Sequence, residues 1–134
     1  MTDIIQKLLE HSTDYAKELL IDTKEFYPFG AYIDTIDNVH PLEFDYNKKI
    51  QPTVSTVLES LTKYCENEMT NDRMKAYALV FESEVQLEED QPKLKCITVQ
   101  LIDKVDKKLP TFYIPYHISN NQEVSFDEMF GVTP

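Results

Sequence analysis

The chain has 134 residues, 42% of them hydrophobic, and a formal net charge of -11 from 13 basic and 24 acidic residues. This length suits one domain that buries a core without help from disulfides or metal. The charge argues against nucleic acid and anionic membranes as direct partners, because both are bound through clustered Lys and Arg. It leaves room for a basic protein as partner, and it also fits a charge that serves solubility alone.

The sequence also indicates the compartment. It has no run of about 18 apolar residues, and its N-terminus lacks the basic-then-apolar layout of a signal peptide. Cys65 and Cys96 lie far apart, each within an apolar pattern, which is typical of buried cysteines in a reducing compartment. We therefore expect a cytoplasmic protein without a membrane span or a disulfide.

The first predicted element is an amphipathic helix over residues 3–21, with apolar residues at helical spacing and Asp3 as its cap. Pro28 then disfavours helical geometry and removes a backbone donor. Four aromatic residues crowd into the segment 24–33, which predicts a helix-to-strand corner whose rings close the end of the core. Gly30 in this corner suits either a positive φ or a close approach of two backbones.

Two strands and a second helix are predicted after the corner. Residues 31–36 form the first strand, Asp37-Asn38 a turn, and the alternation over residues 42–46 a second strand with one solvated face. Pro52 is expected in the first turn of the second helix. Apolar residues at helical spacing over residues 54–69 form the buried face of that helix.

Three longer strands are predicted over residues 74–87, 94–105 and 111–118. In the tail, Ser125 followed by Glu128 has the form of a capping box and predicts a short helix. The expected fold is therefore a single α+β domain over residues 1–134. Its antiparallel five-stranded sheet carries two main helices and a short C-terminal helix, in the order α-β-β-α-β-β-β-α.

This element order resembles the roadblock, longin and profilin-like group, which would place the fifth strand in the centre of the sheet. Pro115 inside that strand instead predicts a bulge or an edge position. The segment Glu25 to Gly30, EFYPFG, also resembles a group of small uncharacterised bacterial proteins. Those proteins carry an E-F-x-P-F-G turn and a Pro-Tyr pair in the last strand, which Pro115-Tyr116 matches. The resemblance implies a shared layout and assigns no activity.

The common catalytic signatures are missing from the sequence. Only Gly30 and Gly131 are glycines, which excludes a glycine-rich phosphate loop. The three histidines are scattered and no cysteine pair exists, so no zinc site is expected. A nucleophilic cysteine needs an adjacent base and a polar setting, which an apolar stripe does not provide. We expect a non-enzymatic protein with no catalytic residue, metal or cofactor.

One segment concentrates negative charge without any Lys or Arg, and its carboxylates are Glu82, Glu84, Glu88, Glu89 and Asp90. This pattern fits a solvated strand edge that charge protects against aggregation. The functional readings are a surface that docks onto a basic protein, since opposite charges steer association, or a site of weak cation binding. The corresponding functional hypothesis is a protein-interaction module, such as an immunity or inhibitor protein that blocks a basic toxin.

The alternative hypothesis is a small-ligand or enzymatic domain with a cleft between the corner and the last strand. The residues expected to line this cleft are Glu25, Tyr27, Phe29, Tyr116 and His117. A well-formed pocket with buried polar groups would favour this alternative. A third hypothesis is a homodimer formed through an exposed sheet edge or helix face.

Overall fold

The computed structural model describes residues 1–43 and 52–134, and it has an α+β fold with an antiparallel sheet. In this part of the chain there are two helices and seven strands. Their bounds are α1 (Asp3–Thr23), β1 (Phe29–Ile33), β2 (Val39–Leu42), α2 (Val54–Thr70), β3 (Ala76–Val85), β4 (Leu94–Asp103), β5 (Thr111–Ile118), β6 (Val124–Phe126) and β7 (Phe130–Val132). The α+β class is confirmed, whereas the predicted count of five strands is wrong.

The strands lie in the order β2-β1-β3-β4-β5-β6, and β7 pairs with β5 beside β6. The longest ladder joins β3 to β4, from Ala76↔Asp103 to Val85↔Leu94. β1 pairs with β3 in a register that runs from Phe29↔Val80 to Ile33↔Ala76. This pairing places the chain that precedes β1 beside the last residues of β3, which is where the candidate site lies.

Helix α1 covers one face of the sheet. Thr2 caps the helix by accepting a hydrogen bond from the Ile5 amide at 3.4 Å, so the cap lies one residue before the predicted Asp3. The helix ends where Lys24 adopts left-handed geometry with φ 66°. Its buried residues pack on inward-facing residues of β1, β3, β4 and β5, and the largest of them are Leu8, Leu9, Leu20, Ile33, Val80, Ile97 and Val99.

Helix α2 covers part of the opposite face. Thr53 is its N-cap, so Pro52 precedes the first turn and does not lie within it. Val57, Leu61 and Cys65 are buried on this helix and pack against Tyr77 and Leu79 of β3. The central part of the predicted apolar face therefore contacts the sheet, whereas Val54 and Tyr64 of that face are exposed.

The corner joins α1 to β1 as predicted, and Pro28, Phe29 and Gly30 are buried there. The hairpin of β1 and β2 turns at Asp37, which has φ 66°. Strand β2 covers Val39–Leu42, so it begins three residues earlier than the strand predicted over residues 42–46. Phe44 and Tyr46 lie outside the described residues.

The predicted C-terminal helix is wrong, because residues 124–132 form β6 and β7 in its place. Val124 and Phe126 pair with Ile118 and Tyr116 of β5, and Phe130 pairs with Tyr113. The Tyr113 and Phe130 rings also stack, with centroids 5.4 Å apart. Hydrogen bonding to the open side of β5 thus outweighs the local capping signature of Ser125.

These two short strands also explain how Pro115 fits within β5. β7 covers Thr111–Tyr113 and β6 covers Tyr116–Ile118, so the outer side of β5 is open at Pro115. The Asp127 amide donates to the Pro115 carbonyl on that side at 2.8 Å. Because the N–H and C=O of one extended residue point the same way, the missing proline donor faces this opening and not β4. The strand is locally an edge at Pro115, and its ladder with β4 continues from Cys96↔Pro115 without a bulge.

Candidate functional site

The acidic segment lies at one end of the β3–β4 hairpin, and all five of its carboxylate residues are exposed. We call this group the acidic end; it consists of Glu82, Glu84, Glu88, Glu89 and Asp90. The turn is held by Gln86, whose amide nitrogen donates to the carbonyls of Glu89 and Gln91 at 3.0 and 2.9 Å. The conformation of the turn therefore does not depend on its carboxylates.

A basic residue lies beside the acidic end on the neighbouring strand β4. Lys95 of β4 stands directly across from Glu84 in the register. Opposite charges at such cross-strand positions attract, although exposed pairs contribute little to stability. Glu82 faces the apolar Ile97 at its own cross-strand position. The charge of Glu82 is therefore not offset by its direct neighbour on β4.

A cleft of about 330 Å³ lies between the corner and the end of β3. We call it the corner cleft; it is lined by Glu25, Phe26, Tyr27, Val54 and Glu82. The ladder of β1 with β3 runs to Phe29↔Val80, so the chain that precedes Phe29 lies beside the residues of β3 that follow Val80, among them Glu82. The structure thus joins residues that the sequence pattern assigns to two separate sites.

Tyr116 is connected to the corner cleft through Glu82. Its side chain is only 4% exposed and belongs to the core beneath α1. Burial raises the pKa of Tyr116, and a hydrogen bond with the Glu82 carboxylate raises it further. The phenol is therefore protonated at neutral pH and donates to a carboxylate of the cleft.

Phe29 lies beneath the corner and not on its surface. It is 4% exposed, and its ring makes edge contacts with the rings of Tyr15 and Phe26 at centroid distances of 4.9 and 5.9 Å. Phe26 lines the corner cleft on one side and rests on this packing on the other. Phe29 therefore supports a wall of the cleft.

His117 is the residue of the predicted cleft that lies apart from the others. Its Nε2 atom is 3.1 Å from Oδ2 of Asp127, and both side chains are more than half exposed. His117 and Tyr116 line a second cleft of about 430 Å³, together with Pro92, Lys93, Leu94, Lys95 and Ile118. Of the predicted residues, Glu25 and Tyr27 thus line the corner cleft, Tyr116 and His117 line the second cleft, and Phe29 lines neither.

A third cleft, also of about 430 Å³, lies between α1 and β2 and is not predicted by the sequence. The Tyr15 hydroxyl donates to Oε1 of Glu43 at 2.5 Å in this cleft. That hydrogen bond, with burial, raises the pKa of Tyr15. The two residues belong to parts of the chain that are distant in sequence, so no local pattern could have indicated their contact.

Neither cysteine is suited to nucleophilic chemistry. Burial raises the pKa of the Cys65 thiol to about 12 and also raises that of Cys96. A nucleophilic cysteine needs a lowered pKa, because the thiolate is the reactive species. Both thiols are neutral near pH 7 and act as small apolar core residues.

The surface of residues 1–43 and 52–134 offers no cluster for a metal ion. Within these ranges no three His, Cys, Asp or Glu side chains are placed to hold one ion together. No helix there is long and apolar enough to cross a membrane.

Comparison of the chain with protein-family models, with curated proteins and with solved structures gives no match in any of the three.

Proposed function

We propose that this chain is a non-enzymatic interaction module that binds a basic partner protein through the acidic end. The observation that carries the proposal is the exposure of all five of these carboxylates at one end of the β3–β4 hairpin, in a chain of net charge -11. Opposite charge on a partner would speed association and select against acidic competitors. The concrete form of this function is an immunity or inhibitor protein that blocks a basic toxin in the cytoplasm.

The proposal is supported by the rigidity of the surface that bears the charge. Glu82 and Glu84 lie on β3, which is paired along its length with β4. The following turn is held by the side chain of Gln86. A charged surface on rigid elements loses little conformational entropy when it binds, so more of the electrostatic attraction appears as affinity.

Affinity capture from a lysate of the source cells, at low and at high salt, tests the proposal. Exposed charges act over about 10 Å at 0.1 M salt and about 3 Å at 1 M, so capture should weaken strongly as salt is raised. The captured protein should be basic by mass spectrometry, and the purified chain should inhibit its activity.

A pair of variants with equal net charge separates a specific surface from general acidity. The first variant neutralises the turn and carries Glu88→Gln, Glu89→Gln and Asp90→Asn. The control variant neutralises three exposed acids on the helices and carries Asp22→Asn, Glu59→Gln and Glu66→Gln. The first should lose the partner and the second should retain it. Equal capture by both, or no partner at either salt concentration, would contradict the proposal.

A further inference from the structure

The corner cleft combines two carboxylates with two aromatic rings, and none of its lining residues within residues 1–43 and 52–134 is basic. We propose that it is an anchor site for one arginine side chain of the basic partner. This inference rests on the proposed function and deepens it, because it specifies which group of the partner is recognised. The acidic end would speed association by electrostatic attraction, and the corner cleft would determine the orientation in which the partner binds.

The walls of the cleft come from separate parts of the chain and converge on one space. Glu25 belongs to the corner, whereas Glu82 belongs to β3. The cleft volume of about 330 Å³ is at the small end of the roughly 300–1,000 Å³ found for ligand sites. A space of this size accommodates one long side chain better than an extended peptide or a nucleotide.

Arginine satisfies this set of groups better than lysine does. A guanidinium is planar, stacks on aromatic faces such as those of Phe26 and Tyr27, and offers several donors to carboxylates. It is also more weakly hydrated than an ammonium group, so it gives up water more readily on entering a partly apolar cleft. Val54 contributes an apolar surface suited to the methylene stem.

Two of the side chains that line the cleft are supported by buried residues. The buried Tyr116 hydroxyl hydrogen bonds with the Glu82 carboxylate. A carboxylate has about four acceptor positions, so Glu82 keeps acceptors for a second donor. On the other wall, the Phe26 ring packs on the buried Phe29. Preorganised groups of this kind bind with less loss of side-chain entropy.

The cleft beside His117 provides an internal comparison. It has a larger volume of about 430 Å³, but Lys93 and Lys95 are among its lining residues. These ammonium groups would repel a cationic side chain. Charge complementarity therefore assigns the arginine to the corner cleft and not to its neighbour.

The test is an NMR titration of the full chain with the blocked tripeptide acetyl-Gly-Arg-Gly-amide, followed through backbone amide shifts. Matched tripeptides carry lysine or uncharged citrulline at the central position. We expect saturable shifts at the amides of residues 25–27, 54 and 82, with the arginine peptide binding most tightly and the citrulline peptide most weakly. Equal binding of the three peptides, or shifts centred elsewhere, would overturn the assignment.

Two cleft variants and one control complete the experiment. Glu82→Gln and Tyr27→Ala should each weaken binding of the arginine peptide by about fivefold or more, because a charge-assisted bond or a stacking face is lost. Glu84→Gln makes the same change of charge outside the cleft and should alter binding by less than about twofold. Retained amide dispersion shows that each variant is folded. An effect of Glu84→Gln equal to that of Glu82→Gln would refute a specific anchor.

The peptide titration and the lysate capture fail independently. Arginine binding without any captured partner would contradict the proposed function and leave the anchor site standing. If capture of a basic partner depends on the turn carboxylates but no arginine peptide binds at the corner cleft, the anchor site is contradicted and the proposed function stands.

Discussion

Replacing Gly30 with alanine tests the pairing of β1 with β3, on which the corner cleft depends. Neither glycine of the chain has a positive φ, so Gly30 is not there for left-handed geometry. A Cβ atom at this position would lie 2.9 Å from the backbone oxygen of Ala78 on β3. That oxygen belongs to a central strand and cannot rotate away, so the two strands would have to separate.

The sign of the stability change decides between two explanations of this glycine. If the close approach is real, Gly30→Ala should destabilise the fold by about 1–3 kcal/mol, as overpacking does. If the site were roomy, the same change would stabilise by about 0.4–1 kcal/mol, since alanine lowers the entropy of the unfolded chain. The two outcomes differ in direction, so even a coarse measurement separates them.

Urea unfolding followed by circular dichroism is a suitable assay. With a slope of about 1–3 kcal/mol per molar urea, the expected loss lowers the midpoint by on the order of 1 M. Gly131→Ala is the matched control. Its Cβ would lie 3.0 Å from Cε1 of Phe112, a half-buried ring that can shift, so a smaller loss is expected. A raised midpoint for Gly30→Ala would refute the close register of β1 with β3.

Three further predictions concern stability and titration. Leu61→Ala should cost about 2–5 kcal/mol because Leu61 is buried between α2 and the sheet, whereas Glu89→Lys in the exposed turn should cost almost nothing in thermal unfolding. The pKa of Asp34 is lowered from 3.8 to about 2, first by its hydrogen bond with His40, so its stabilising effect is complete above pH 3.8 and is lost as the pH falls towards 2. The Asp34→Asn variant should therefore lose less stability than the original chain as the pH falls from 3.8 towards 2. Equal losses of stability in the two proteins would contradict this prediction. Burial raises the pKa of Tyr77 to about 12 and also raises that of Tyr116, so an ultraviolet pH titration should show a late step to which both phenols contribute, and Tyr77→Phe should reduce the amplitude of that step.

Much of the regular structure could be predicted because it follows from short-range periodicity. The apolar stripe of the first helix recurs every three or four residues, and the structure buries it against the sheet. The strands expected over residues 74–87, 94–105 and 111–118 correspond to β3, β4 and β5 with small differences at their ends. The apolar patterns around Cys65 and Cys96 predict core positions, and both residues are buried. In each case the local pattern and the tertiary packing favour the same conformation.

The C-terminal segment could not be predicted in this way because two interactions compete there. Ser125 and Glu128 form a local helix signature. However, Pro115 leaves β5 with an outer side that needs partners, and residues 124–132 supply them as two short strands. The gain from pairing with β5 depends on contacts that are not local in sequence. A capping rule that considers four residues cannot weigh that gain.

The corner cleft illustrates the same limit in a functional setting. The sequence marks Glu25 and Tyr27 as corner residues and Glu82 as part of an acidic segment, yet nothing in it states that β1 pairs with β3. Once that register is known, the chain before Phe29 must run beside the residues of β3 that follow Val80, which is how Tyr27 and Glu82 come to line one cleft. A shift of one residue in this register would change which side chains of the two segments share a face. The chemistry of the site is therefore a property of the strand register, and changes at Gly30 that disturb the register should weaken arginine binding even though Gly30 is not one of the residues that line the cleft.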